Sequence, residues 1–354
     1  MSETACLLSG GVDSSVALWS IKERGDEEIR AYYLKIWLED ELSYLGSCPW
    51  EEDLEYARAV CEEAGVPLEV VPLQREYYDR VVSYTVEELK RGRTPSPDIF
   101  CNERIKFGAF LDAVQGEVDR VASGHYAILE TDAEGKVWLR RSPDPVKDQS
   151  YFLFHLRQEQ LRRILFPIGS MTKEQVRRRA EELDLPNKQR PDSQGICFLG
   201  KIKYPEFVRY YLGEREGDIR EAESGRKLGT HRGSWFFTIG QRQGLGLGNG
   251  PWYVVDKSFD ENIVYVSHAE SMDRRARNRL TVGDLTWLTE EPEQEEFLVK
   301  LRHGPQLNRA TARRLESEGK MELTLAEADR GIAPGQFAVL YNGEYCLGGG
   351  TILG

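Results

Sequence analysis

Two groups of residues in this 354-residue sequence have types and spacings that could do chemistry. The first is Ser9-Gly10-Gly11-Val12-Asp13-Ser14-Ser15, which follows the short apolar run Ala5–Leu8. Glycines let the backbone turn tightly and come close to a ligand. A helix opening directly after them would present free N–H groups and a positive dipole end, which suit a phosphate. Ser9, Ser14 and Ser15 add hydroxyl donors. Asp13 is poorly suited to touch a phosphate, and fits a role with magnesium or in the loop's own structure. The pattern is neither G-x-x-x-x-G-K-[ST], since no lysine follows the glycines, nor G-x-G-x-x-G.

The second group is a pair of cysteines. Gly92–Asn102 places Cys101 after a Pro-rich loop and ahead of Glu103-Arg104-Ile105-Lys106-Phe107. A thiol near a helix N-terminus and near cations has more thiolate character. Asp98, three residues earlier, could accept or donate a proton. Cys197, in Asp192–Gly200, follows a basic helical segment and a polar loop. A buried, inert thiol is the ordinary alternative for both. Cys6, Cys48, Cys61 and Cys346 read as structural. No pair has Cys-x-x-Cys spacing, which argues against a zinc site, and six cysteines are too few for a disulfide scaffold, so a reducing compartment is expected.

The elements that must position these residues alternate. Strand-like runs at Ala5–Leu8, Ala31–Trp37, Leu68–Leu73 and Arg120–Ala122 are separated by helical spacing over Val12–Arg24, Glu51–Ala64 and Arg104–Val114. That order predicts a parallel sheet covered by helices on both faces, an α/β fold. Thr172, with Gln175 three residues on, reads as a capping box opening a helix that runs to about Leu183. Beyond residue 204 the texture becomes Gly-rich with short strands. Val254–Asp256, Ile263–Val266, Phe297–Leu301, Met321–Leu325 and Phe337–Tyr341 read as β, in a small β-rich module near 205–272 and a β-barrel-like module near 275–354.

Charge is unevenly spread. The chain totals −12, residues 1–100 carry −11, and residues 151–204 carry +5. The acidic total disfavours a nucleic-acid partner, whereas the basic segment, including Arg177, Arg178 and Arg179, would track phosphates or form a solvated helix face. No apolar run approaches the ~20 residues that span a bilayer, and the N-terminus lacks secretory and transit signatures. A cytoplasmic location is expected, with a mitochondrion or plastid as the alternative if a transit peptide is missing from this sequence.

The loop Ser9–Ser15 resembles the PP-loop of N-type ATP pyrophosphatases, which cleave ATP to AMP and pyrophosphate while adenylating a substrate oxygen. With both cysteines added, the resemblance becomes specific and runs end to end. Thr94–Phe107, Ser123–Tyr126, Lys147–Phe154, Phe166–Ser170, Gly195–Gly200 and Phe237–Leu247 are similar to stretches of the tRNA-specific 2-thiouridylases, the MnmA/TrmU family. The segment Cys48–Asp53 looks more like the organellar or plant-type branch. The resemblance implies a PP-loop domain over 1–204, a small β-rich central domain over 205–272 and a C-terminal β-barrel over 273–354 that contacts tRNA. It implies ATP with magnesium, and adenylation of C2 of a wobble uridine in a tRNA anticodon stem-loop. A persulfide delivered to Cys197 by a sulfur-carrier protein or cysteine desulfurase would then give 2-thiouridine, with Cys101 assisting either by attacking the persulfide to form a transient disulfide or by freeing hydrosulfide. Asp98 matches the acid/base position.

By the same resemblance, Leu7, Leu8, Ser9, Gly10, Gly11, Val12, Asp13, Ser14, Leu34 and Gly124 match ATP-binding positions. Leu34 stands where a methionine usually contacts adenine. Ser96, Pro97, Asp98, His125, Lys147, Asp148, Gln149, Arg302, His303 and Gln336 match tRNA contacts. No protein-held metal and no membrane partner are expected. Two other classes stay open: a PP-loop enzyme adenylating a small molecule, which would not need the two cysteines, and a non-catalytic tRNA-binding protein.

Overall fold

Alternate residues of the first apolar run serve two different cores, as side chains of a strand must. A computed structural model describes residues 3–25, 28–36, 50–192, 203–315 and 319–354. In it β1 (Glu3–Leu7) sends Ala5 and Leu7 into one hydrophobic cluster and Cys6 into another. β1 pairs in parallel with β2 (Glu28–Lys35) and β4 (Arg120–Ala122). β3 (Leu68–Pro72) and β7 (Ile164–Leu165) complete a five-stranded parallel sheet of order β3-β2-β1-β4-β7. Helix α1 (Val12–Lys22) buries Val16, Leu18 and Ile21, and α2 (Trp50–Ala64) buries Leu54, Ala57 and Cys61. The expected α/β layering is therefore present. Cys6 and Cys61 are packing residues: burial raises both thiols above their ordinary range, Cys61 to about 11.

The opposite face carries two longer helices with π-helical middles. α3 runs through Gln74–Tyr77, Tyr78–Val82 and Ser83–Lys90; α4 runs through Pro97–Phe100, Cys101–Ala109 and Phe110–Ala113. The sequence suggested a helix from Arg104 with Cys101 ahead of it. Instead Pro97 opens α4, a position where its missing N–H costs nothing. Cys101 therefore lies one turn inside the helix. The short α5 (Gln158–Leu161) braces the π segment, with Gln160 Nε2 donating to the Glu103 carbonyl at 3.0 Å and the Phe107 carbonyl at 2.7 Å. π turns leave carbonyls poorly satisfied, and functional sites often hold them.

α6 (Lys173–Glu182) begins with the expected reciprocal cap. Thr172 N donates to Gln175 Oε1 at 2.7 Å, and Gln175 N to Thr172 Oγ1 at 3.3 Å. After α7 (Tyr204–Leu212) the chain turns to β. β8 (Gly217–Glu221), β9 (Lys227–His231), β10 (Trp252–Ser258) and β11 (Ile263–His268) form a four-stranded sheet of order β10-β11-β8-β9. Six antiparallel strands follow: β12 (Arg277–Trp287), β13 (Glu296–Lys300), β14 (Asn308–Arg314), β15 (Met321–Asp329), β16 (Phe337–Asn342) and β17 (Tyr345–Ile352). Pairing of β12 with β17 closes them into a barrel.

The hairpin β5 (Ala127–Thr131) and β6 (Val137–Arg141), which belongs to the first half of the chain, adds to β17 with Cys346 opposite Leu139. Beside it Lys300 Nζ meets Asp148 Oδ2 at 2.6 Å, both side chains fully buried. The barrel is thereby tied to the parallel-sheet domain by strand pairing and by a buried ion pair.

Candidate active site

The phosphate loop leaves the C-terminal end of β1, the strand where the sheet order reverses between β1 and β4. In open α/β sheets ligands bind outside the strand ends at such a switch point. Gly10 adopts φ +74°, and a Cβ there would lie 2.2 Å from the Asp53 carbonyl oxygen, so only glycine fits. Ser14 Oγ accepts from Ser9 N at 3.2 Å and donates to the Gly11 carbonyl at 2.9 Å. Asn187 Nδ2 donates to the Gly10 carbonyl and to Ser15 Oγ, each at 2.8 Å. Arg190 donates to the Gly10 carbonyl at 3.0 Å, pairs with Asp53 and lies over the Tyr56 ring. The loop is thus held from both sides while the first N–H groups of α1 have no acceptor within the helix.

The other predicted nucleotide positions gather here. Leu7, Leu8 and Val12 are buried beneath the loop, and Leu34 is half-buried near the end of β2. Gly124, just past β4, packs so closely that a Cβ would sit 2.7 Å from Ser14 N and 2.8 Å from the Asp13 carbonyl carbon.

Asp13 is occupied. Its Oδ1 accepts from Tyr126 Oη and from Lys173 Nζ, each at 2.7 Å. Lys173 also meets Asp192 Oδ1 at 2.7 Å; Lys147 meets Asp192 Oδ2 at 2.6 Å, and Arg177 pairs with Asp192 too. Partial burial alone would raise the Asp192 carboxyl, but the hydrogen bonds from Lys147 and Lys173 outweigh it and hold it far below the usual range. Among the described residues no His/Cys/Asp/Glu cluster could hold a metal. Asp13, the carboxylate suggested for magnesium, already carries a lysine and a tyrosine, so these residues do not fit a protein-held ion.

The thiol end adjoins the nucleotide end through three residues, Ser123-Gly124-His125. While Gly124 touches the phosphate loop, His125 Nε2 lies 3.1 Å from Asn102 Oδ1 and its Nδ1 lies 2.8 Å from Ser123 Oγ. Asn102 follows Cys101, and its Nδ2 donates to the Phe152 carbonyl at 3.2 Å. Cys101 is 1% exposed. Asp98 is half-buried in the first turn of α4.

The barrel and the central domain both hold the loop that leads into α4. Gln336 Nε2 donates to the carbonyls of Thr94 (3.1 Å) and Pro95 (3.0 Å), and Thr94 N donates to the Pro334 carbonyl at 2.9 Å. From the central domain Thr238 accepts a bond from Thr94 Oγ1 at 3.3 Å, and the Phe259 side chain abuts Gly92.

Several expectations change. His125 is 7% exposed with both ring nitrogens engaged, and burial, with Lys106 nearby, keeps it neutral. Its ring is turned inward and sets Asn102. Asp148 is likewise interior: besides Lys300 it accepts from Ser142 N, Ser150 N and Ser150 Oγ. Gln149 accepts from Tyr126 N at 2.9 Å and Lys147 is spent on Asp192, so Lys147-Asp148-Gln149 braces the fold.

Ser96 and Pro97 are buried. Arg302 pairs with Asp329, and the exposed His303 stacks on Phe152 at 4.8 Å between ring centroids. Part of the basic segment is tied up in ion pairs: Arg178 pairs with Glu174, Arg179 with Glu23 and Glu182, and Lys188 with Asp184. Cys197, and Cys48 with the 48–49 part of its segment, lie outside the described residues. Lys173, Asn187, Arg190 and Asp192 were missed as loop partners, because nothing local marks a residue some 160–180 positions downstream; the capping box at Thr172 was the nearest signal.

Three family models match the chain: a "tRNA methyl transferase HUP domain" over residues 2–201, a "tRNA methyl transferase PRC-barrel domain" over 205–268 and an "Aminomethyltransferase beta-barrel domain" over 277–352. Similar proteins include a tRNA-specific 2-thiouridylase MnmA of Parabacteroides distasonis, 44% identical over 99% of each chain. Another is a tRNA-specific 2-thiouridylase of Bacteroides fragilis, 45% identical over 99% of each, and a third that of Porphyromonas gingivalis, 42% identical over 99% of each.

Proposed function

Since the chain belongs to the family of tRNA-specific 2-thiouridylases, we propose that it is a sulfurtransferase that converts a tRNA uridine to 2-thiouridine, with ATP as the activating substrate. One observation carries the reading: the segment Ser123–His125 packs Gly124 on the phosphate loop and bonds His125 to the neighbour of Cys101. Nucleotide chemistry and thiol chemistry are thus one residue apart along the chain.

In the finer scheme the uridine C2 oxygen attacks the α-phosphorus of ATP and pyrophosphate leaves. An amide-like oxygen is a poor leaving group, and adenylation makes it a good one. Sulfur arrives as a persulfide on Cys197 from a sulfur-carrier protein or desulfurase. The Cys101 thiolate attacks the inner sulfur, a Cys101–Cys197 disulfide forms and hydrosulfide is released. Hydrosulfide adds at C2 and AMP departs; a dithiol reductant restores both thiols.

Asp98, in the first turn of α4, takes the proton relay beside the base. Magnesium would arrive with the nucleotide, carried by its phosphates. Arg302 and His303, both exposed, face the tRNA, while Ser96, Pro97 and Gln336 shape the loop behind that surface; the His303–Phe152 stack suits an unstacked base. The domain division 1–204, 205–272 and 273–354 is part of the same reading. The bacterial relatives support a cytoplasmic enzyme, and no helix among the described residues is long and apolar enough to cross a membrane.

The test is nucleoside mass spectrometry of tRNA incubated with the protein, ATP and a persulfide donor. We expect ATP-dependent 2-thiouridine, abolished in Cys101→Ser and in Cys197→Ser while ATP affinity is kept. Thiolation persisting in both variants would overturn the roles; no thiolation with any ATP-dependent sulfur source would overturn the function.

A further inference from the structure

The phosphate loop lacks the lysine that follows the glycines in a Walker loop, yet the folded chain brings one to it from about 160 residues downstream. We propose that Lys173 is a contact for the β- and γ-phosphates of the nucleotide and for the departing pyrophosphate, held in place by Asp13 and Asp192. The proposal rests on ATP being the substrate at this loop.

Two observations carry it. Lys173 Nζ lies 2.7 Å from Asp13 in the loop and 2.7 Å from Asp192, and its side chain is only 16% exposed. An ammonium has three hydrogens, and these carboxylates take two. Lys147, Lys173 and Arg177 face Asp13 and Asp192, with Asp144 bonded to the backbone N–H groups of Lys147 and Lys173, so the cluster is balanced before any phosphate arrives. The N-terminus of α1 beside it adds the positive dipole end that suits an incoming anion. Arg190, the other nearby cation, is committed to Asp53, the Gly10 carbonyl and the Tyr56 ring.

Lys173 could instead be only a strut joining α6 to the loop. AMP separates the two roles, because it has the adenosine and α-phosphate but no pyrophosphate portion. In calorimetric titrations of the full chain, Lys173→Gln should weaken binding of ATP and of inorganic pyrophosphate by about tenfold or more, the size of a lost charge-assisted hydrogen bond. AMP affinity should stay within about twofold. Unchanged ATP affinity, or equal losses for ATP and AMP, would overturn the proposal. If wild-type protein binds neither ATP nor pyrophosphate, the nucleotide reading itself falls.

Should Lys173→Gln not fold, lysine acylation of the wild-type protein gives the same answer by peptide mass spectrometry. Pyrophosphate should slow labelling of Lys173 several-fold and AMP should not. Equal labelling with and without pyrophosphate would overturn the proposal.

Discussion

The phosphate loop and the thiol turn, though neighbours, are built in opposite ways. The loop is contiguous in sequence, partly open to solvent and lined by charges that already balance to within one unit. Cys101 sits among Ile99, Phe100 and Ile105 in the main core, and the loop before it is fastened by the barrel and the central domain. The difference teaches how the labour divides. The nucleotide loop is one short backbone segment already fixed by Asn187, Arg190 and Lys173, so that end is preformed. A 1%-exposed thiol meets a base only when what covers it shifts, so the thiol end depends on how three domains sit together.

Two glycines test this division with the largest effects. Gly10→Ala puts a Cβ on the Asp53 carbonyl at φ +74°, and Gly335→Ala puts one 2.7 Å from Arg93 Cβ and 2.8 Å from the Thr94 carbonyl oxygen at φ +90°. Each backbone position costs a non-glycine residue about 1–3 kcal/mol before the clash is counted. Gly10→Ala should abolish ATP binding. Gly335→Ala should keep ATP affinity within about twofold yet cut tRNA thiolation at least about tenfold, since it loosens only the thiol loop. If Gly335→Ala lost ATP affinity as well, the two ends would not be separable.

The buried pair Asp148–Lys300 probes the same contrast through stability. Removing one partner leaves a charge stranded in the interior, so Asp148→Asn should destabilise the protein by about 3–5 kcal/mol in urea unfolding. Replacing both by apolar residues of similar volume should restore only part of that loss, because the buried Ser142 and Ser150 N–H groups lose their acceptor. A single variant as stable as wild type would mean that the barrel is not docked through this pair.

How much could be read from the sequence follows the same line. The loop Ser9–Ser15, α1, four of the five parallel strands and the cap at Thr172 are local patterns, and each was legible, whereas the two-residue β7 was not. β8, β9, β12, β14 and β17 were not, because a half-exposed barrel strand such as Asn308–Arg314 alternates small and charged residues with little apolar signal. The net charge of 151–204 was legible but its meaning was not: Arg177 and Lys173 are committed to Asp192, and Arg190 to Asp53. Asp148 and His125 matched a tRNA-contact pattern, and only packing reveals that they face inward.

His125 gives the finest measure of the thiol end. Burial, helped by Lys106, lowers its pKa well below 6.5, so the ring is neutral in the folded protein and takes up a proton first in the unfolded chain. Between those two values the unfolded state binds more protons, and stability must fall as pH falls. The contribution is complete above pH ~6.5 and declines by at most about 1.4 kcal/mol per pH unit below it. His231 and His303 are lowered in the same direction by burial, so the wild-type slope alone is not diagnostic. His125→Gln keeps a side chain able to bond Asn102 and Ser123 but removes one titrating group. Chemical unfolding at pH 7.5, 6.5 and 5.5 should therefore show a shallower loss in the variant than in wild type. An unchanged slope would mean that His125 accepts its proton in place, and that the thiol end is as open to water as the phosphate loop.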